Sequence, residues 1–157
     1  MKRIIYKSIG IALIVLILVT IVHAFYQSSL PPAESSKESS KVGEIIEEII
    51  PPETPPGQFV QQNLRKLAHF TEFFFLGLWS TLFVIFYYRK RWTICSLLPF
   101  GAFIAFCDET VQIFSERGPS VKDVWIDVLG YTCAFCLVFI TVFAVIAVRM
   151  IFNRKHR

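Results

Sequence analysis

Four stretches of this chain stay apolar for long enough to cross a bilayer: about Ser8 to Tyr26, Leu67 to Tyr88, Trp92 to Phe114 and Val124 to Val148. A hydrocarbon core takes about 20 residues of α-helix, so the pattern predicts four transmembrane helices. Between the first two runs, Ser28 to Lys41 is rich in Ser, Pro, Glu and Lys and nearly devoid of large apolar groups. Such a segment buries too little surface to offset its ordering entropy and reads as a mobile extracytoplasmic linker. Val42, Ile45, Ile46, Ile49 and Ile50 then recur at helical spacing, with Glu44, Glu47 and Glu48 on the other side and Pro51-Pro52 as a stop. This predicts a short amphipathic helix near 42–50, lying on the outer membrane surface or on the bundle. The expected fold class is an all-α membrane protein with a bundle of about four transmembrane helices. Its parts are an N-terminal anchor over 1–27, a linker with the amphipathic helix over 28–64, a three-helix membrane domain over 65–148 and a basic tail over 149–157.

Composition fixes the solvent. With 157 residues, 54% of them hydrophobic, and 16 Phe, the chain is too apolar for an ordinary soluble domain. Its net charge of +4 does not point to nucleic acid, because the basic residues sit in short clusters beside the apolar runs. Lys2, Arg3 and Lys7 precede the first run, Arg89, Lys90 and Arg91 separate the second from the third, and Arg149, Arg154, Lys155 and Arg157 follow the fourth. Basic clusters stay on the cytoplasmic side, so the expectation is a multi-pass cell-membrane protein with both termini cytoplasmic. All 12 acidic residues fall between Glu34 and Asp127, in the segments assigned to the outer side and the helix ends beside them. The first run also has the three parts of a cleavable signal peptide, ending at Val22-His23-Ala24, and the downstream topology is the same with or without cleavage. His23 is read as an interfacial residue with no chemistry. Trp92 and Tyr87-Tyr88 read as interfacial anchors beside the middle basic cluster, and Trp125 as one on the outer side.

The candidate chemistry lies in ionisable residues that hydrophobic helices do not ordinarily carry, since each costs roughly 2.5 kcal/mol or more to insert. In the second run Arg65, His69 and Glu72 share one helical face, with Lys66 beside them. In the third, Gly101, Ala105, Asp108 and Gln112 form a stripe with Glu109 on its flank; in the fourth, Asp123, Asp127, Gly130 and Ala134 repeat the arrangement. Small residues let helices approach closely, so these faces are expected to point into the bundle. At 1.5 Å per residue, Glu72, Asp108 and Asp127 lie about 8, 9 and 5 Å inside the outer helix ends, which predicts one shared polar site. Arg117 in the outer loop and Lys122 at the mouth of the fourth helix can add positive charge.

These residues resemble a known family. The segment Arg65-Lys66-Leu67-Ala68-His69-Phe70-Thr71-Glu72-Phe73, followed by Leu76-Gly77, looks like the first signature of the VanZ-like membrane proteins. Asp108 through Phe114, then Arg117, then Asp123 through Asp127 to Gly130, match the second. Ser28-Ser29 and Glu34-Ser35-Ser36 resemble the family's outer linker. Two features depart from the usual pattern: Asp127 stands where many members carry Asn, and Glu116 lies in the Ser115-Gly118 loop where Pro-Gly is frequent. The resemblance implies a protein that lowers susceptibility to teicoplanin-type glycopeptide antibiotics, which act on cell-wall precursors at the outer membrane face.

Three readings of the polar site follow. The five acids Glu72, Asp108, Glu109, Asp123 and Asp127 face four bases and His69, so the group could be a self-neutralising structural network. Alternatively His69, Glu72, Asp108 and Glu109 are candidate catalytic groups for acid–base chemistry on a lipid-linked substrate, with Arg117 as a phosphate clamp. Third, the same groups serve a binding or transport role, recognising an amphiphile or a protein partner without bond making. A single His among acids is a weak metal signature, and no metal or cofactor is expected. The expected partners are the lipid bilayer and a lipid-linked cell-wall precursor or lipoglycopeptide. Cys95, Cys107, Cys133 and Cys136 all lie within predicted spans and read as small apolar packing residues.

Overall fold

The computed structural model describes residues 2–88, 91–115 and 118–155. They form six helices: α1 (Lys2–Ser29), α2 (Pro32–Glu47), α3 (Pro55–Tyr87), α4 (Arg91–Cys95), α5 (Leu97–Phe114) and α6 (Val121–Lys155). α1, α3, α6 and the α4–α5 pair are each long and apolar enough to cross a membrane. The α4–α5 break falls at Ser96, three residues before Pro99, whose ring would clash with the Cys95 carbonyl in a continuous helix. Parts of two basic clusters noted above, Arg89-Lys90 and Arg157, lie outside the described residues.

Cross-helix contacts give the topology. Near the α3 C-terminus the Tyr87 hydroxyl donates to the Tyr6 carbonyl, whereas His23, close to the end of α1, meets Glu72 in the middle of α3. α1 and α3 are therefore antiparallel. Arg65 pairs with Gln112 and His69 with Asp108, which makes α3 and α5 antiparallel too. α6 runs parallel to α3, because His69 approaches Asp127 while Gly77 abuts Tyr131. Four alternating spans result, and the start of α1 and the end of α6 lie at the same end of the bundle.

α3 and α6 touch backbone to backbone. A Cβ on Gly130 would collide with the Phe70 carbonyl, and one on Gly77 would lie 2.5 Å from the Tyr131 carbonyl oxygen. This is small-residue packing of the kind membrane helices use when lipid supplies no hydrophobic drive. Around it Ala24, Phe73, Leu76, Ile104, Ala105 and Tyr131 form the buried core. Ile5, Leu18 and Val22 of α1, and Leu137, Ile140 and Phe143 of α6, are instead exposed on the outside of the bundle. Exposed apolar faces around a core that contains acids are the arrangement suited to a lipid solvent.

The segment between α1 and α3 differs from the sequence expectation. Most of the stretch assigned to a mobile linker is helical: α2 starts at Pro32, ten residues before the predicted amphipathic helix, and ends at Glu47. Proline at the first helical position is pre-organised for helix, and Ala, Glu, Lys and Ser tolerate it; a polar composition argues against burial and not against helix. α2 docks on α3, with Gln61 Nε2 donating 2.7 Å to Glu47 Oε1 and the buried Gly43 facing Leu64 and Gln61. α3 likewise begins at Pro55, 12 residues before the apolar run, capped by Thr54, whose Oγ1 accepts from the Gly57 amide at 3.2 Å. Ser28, assigned by sequence to the linker, is the fully buried penultimate residue of α1.

Candidate functional site

α3, α5 and α6 each bring one ionisable side chain to a single buried point. His69 Nδ1 lies 3.7 Å from Asp108 Oδ2 and 3.8 Å from Asp127 Oδ1. Asp108 and Asp127 are 0% exposed, and His69 is 6% exposed. The helical stripes explain the convergence: Gly101, Ala105, Asp108 and Gln112 on α5, and Asp127, Gly130 and Ala134 on α6, are all buried, so the small residues seat the helices and the acids follow them inward. Ligating atoms of His69, Asp108 and Asp127 lie within 4.8 Å of one another, which makes this trio the group able to hold a metal among the described residues.

Two further layers surround the trio. Ser28 Oγ donates a 2.7 Å hydrogen bond to Asp108 Oδ2, and Ser115 Oγ donates 2.8 Å to the Ser28 carbonyl. On the other side Arg65 Nη2 donates 2.7 Å to Gln112 Oε1, and Gln112 Nε2 donates 2.9 Å to Glu109 Oε2. Glu109 Oε1 in turn accepts from the backbone N–H of Ser120, tying α5 to the entrance of α6. Glu72 faces α1, where its Oε1 lies 3.1 Å from His23 Nδ1.

His69 lines two cavities. One, of about 460 Å³, is bounded by α1, α2 and α3, with His23, Glu38, Arg65 and Glu72 among its polar lining and Val42, Ile46 and Leu64 among its apolar lining. The other, about 170 Å³, is lined by Arg65, Lys66, Asp123 and Ile126.

A family model described as VanZ/LLP1 matches residues 11–147, most of the chain and all four spanning segments. The chain belongs to the VanZ/LLP1 family. No curated protein and no solved structure matches it. The match covers the greater part of α1, and in this VanZ/LLP1 chain α1 supplies two groups that the sequence reading did not assign to the site, His23 and Ser28. His23 offers no more in sequence than a polar residue near the end of an apolar helix, which is the ordinary place for one, and Ser28 reads with Ser29 as part of the outer linker.

Of the residues expected in the polar site, His69, Asp108 and Asp127 meet directly, while Arg65, Gln112 and Glu109 form the adjoining chain and Glu72 the His23 pair. Asp123 is half-buried at the second cavity. Lys66 is exposed, with Nζ 3.5 Å from Asn63 Oδ1, and Lys122 is exposed as well. Arg117 lies outside the described residues. At Asp108 and Asp127 the basic side chain within reach is the His69 imidazole, which pairs as an ion only when protonated. The four cysteines lie apart from this site, with Cys95, Cys133 and Cys136 exposed on the bundle surface and Cys107 half-buried.

Proposed function

We propose that this VanZ/LLP1 protein lowers susceptibility to teicoplanin-type glycopeptides by engaging an amphiphile, either the lipoglycopeptide or a lipid-linked cell-wall precursor, at the outer face of the cell membrane. The observation that carries the reading is the larger cavity. Its wall joins ionisable groups from α1 and α3 to the aliphatic side chains of α2, and it borders the buried acid–histidine trio. A headgroup needs the first kind of surface and an acyl chain the second. The basic clusters at Lys2, Arg3 and Lys7 and at Arg149 favour a cytoplasmic position for the chain ends and, with it, an outer position for this cavity. Reporter fusions at the C-terminus test that orientation.

The same trio supports a second reading, acid–base chemistry on a lipid-linked envelope substrate, because one imidazole stands between two carboxylates.

The test is drug susceptibility of a bacterial host expressing wild type or Glu72→Gln at matched membrane abundance, over teicoplanin and non-lipidated vancomycin. Protection by wild type alone, mainly against the lipidated drug, is the expected result. Equal protection by both proteins removes Glu72 from the site, and protection by neither overturns the proposal for that host. Lipid-linked precursors altered only in cells carrying the wild type would favour catalysis over binding.

A further inference from the structure

The two carboxylates of the buried trio carry oxygens that hydrogen bonding among the described residues does not use up. Asp127 is 0% exposed, yet neither of its carboxylate oxygens has a hydrogen-bond partner among the described residues, and Asp108 Oδ1 also lacks one. Buried carboxylates in a lipid-surrounded bundle are ordinarily satisfied by donors, by ion pairs or by a cation. Among the described residues the Ser28 hydroxyl bonds Asp108 Oδ2, the Gln112 side chain also favours the Asp108 carboxylate, and His69 stands 3.8 Å from Asp127.

We propose that His69, Asp108 and Asp127 form a binding site for one divalent transition cation, with zinc the favoured occupant. Three independent helices supply one nitrogen and two carboxylate oxygens, with ligand atoms 3.7 and 3.8 Å from His69 Nδ1. Ligands of a tetrahedral zinc bonded at about 2.1 Å sit roughly 3.4 Å apart, so the two His69 distances are within a few tenths of an ångström of that spacing, and the trio, whose ligand atoms lie within 4.8 Å of one another, closes by side-chain shifts on the order of an ångström or less. Two carboxylates match the charge of a divalent ion. The imidazole selects a transition cation over magnesium or calcium, which prefer oxygen alone, and none of the three ligands is a thiolate. The Ser28 hydroxyl, bonded to Asp108 Oδ2, is the outer partner that ligating carboxylates carry. Three protein ligands leave a fourth position for water or substrate, and His69 lines both cavities, which supply the entry path.

The experiment uses the full chain in detergent micelles, chelator-stripped and then equilibrated with Zn²⁺. A Cys133→Ser, Cys136→Ser background removes the closest-spaced thiols as competing ligands. Elemental analysis after desalting is expected to find one zinc per chain. Asp127→Asn and His69→Gln are expected to weaken binding at least about tenfold, the lower bound seen even for loss of outer-shell partners. Should either variant not elute as a monodisperse protein, a Co²⁺ titration of the unsubstituted trio in the same background decides. A d–d spectrum that saturates at one equivalent, lacks a thiolate charge-transfer band and is displaced by Zn²⁺ supports the site. No retained zinc, zinc retention equal in folded variants and background, or no saturable Co²⁺ spectrum overturns it. Metal content is read without any drug, so failure of the glycopeptide phenotype and failure of metal binding are separate results.

Discussion

Ser28 and Asp108 are 80 residues apart in the chain and 2.7 Å apart in the bundle, the hydroxyl of the first helix donating to a carboxylate that is fully buried in α5. The bond makes the end of α1 part of the site wall. Signal-peptide cleavage after Ala24 would remove His23 along with Ala24, a core residue only 2% exposed.

Ser28→Ala is expected to lower the stability of the detergent-solubilised protein by about 1 kcal/mol, the usual scale for a buried hydrogen bond between membrane helices. Ser29→Ala is the matched control, since Ser29 is exposed and its hydroxyl bonds only to the Tyr26 carbonyl of its own helix. Thermal unfolding of both variants checks this; equal melting temperatures would show that the Asp108 contact contributes nothing.

Enlarging either glycine of the α3–α6 contact is expected to be severe. Gly77→Val and Gly130→Val place side-chain atoms against the Tyr131 and Phe70 backbones, which cannot rotate away, and overpacking of this kind costs about 1–3 kcal/mol or more. Gly118→Ala meets nothing within 4 Å and is expected to change stability by less than about 0.5 kcal/mol. Membrane abundance and melting temperature of the three variants, measured side by side, distinguish a tight helix contact from general intolerance of glycine replacement.

The chain from Arg65 through Gln112 and Glu109 ends on a backbone amide, which makes it visible to hydrogen exchange. Glu109→Ala removes the acceptor of the Ser120 N–H and is expected to speed exchange of that amide about fivefold or more, the equivalent of one net hydrogen bond. Gln112→Leu removes the lateral donor that holds Glu109 and is expected to move the same amide in the same direction by less. No change at Ser120 in Glu109→Ala would mean that the α6 entrance is held by other contacts.

How much of this was legible in sequence differs from helix to helix. The spans, the inward stripes on α5 and α6 and the set of acids were all readable, because hydrophobic periodicity and the cost of charge in lipid are local properties of a segment. The α2 segment misled for a related reason: polar composition reports that a stretch cannot be buried, and α2 is a largely exposed helix whose docking depends on Gln61 and Leu64 of another element.

Sequence alone determined that this chain has four membrane-length helices, which faces of three of them carry charge, and its membership of the VanZ/LLP1 family over residues 11–147. Tertiary structure decided which of those charges meet. The close backbone contact at Gly77 and Gly130 belongs to the α3–α6 packing in which Asp127, rather than Asp123, comes to face His69. Only the packing of α1 brings His23 to Glu72 and Ser28 to Asp108, since contacts between distant helices depend on register and crossing, which no single segment encodes.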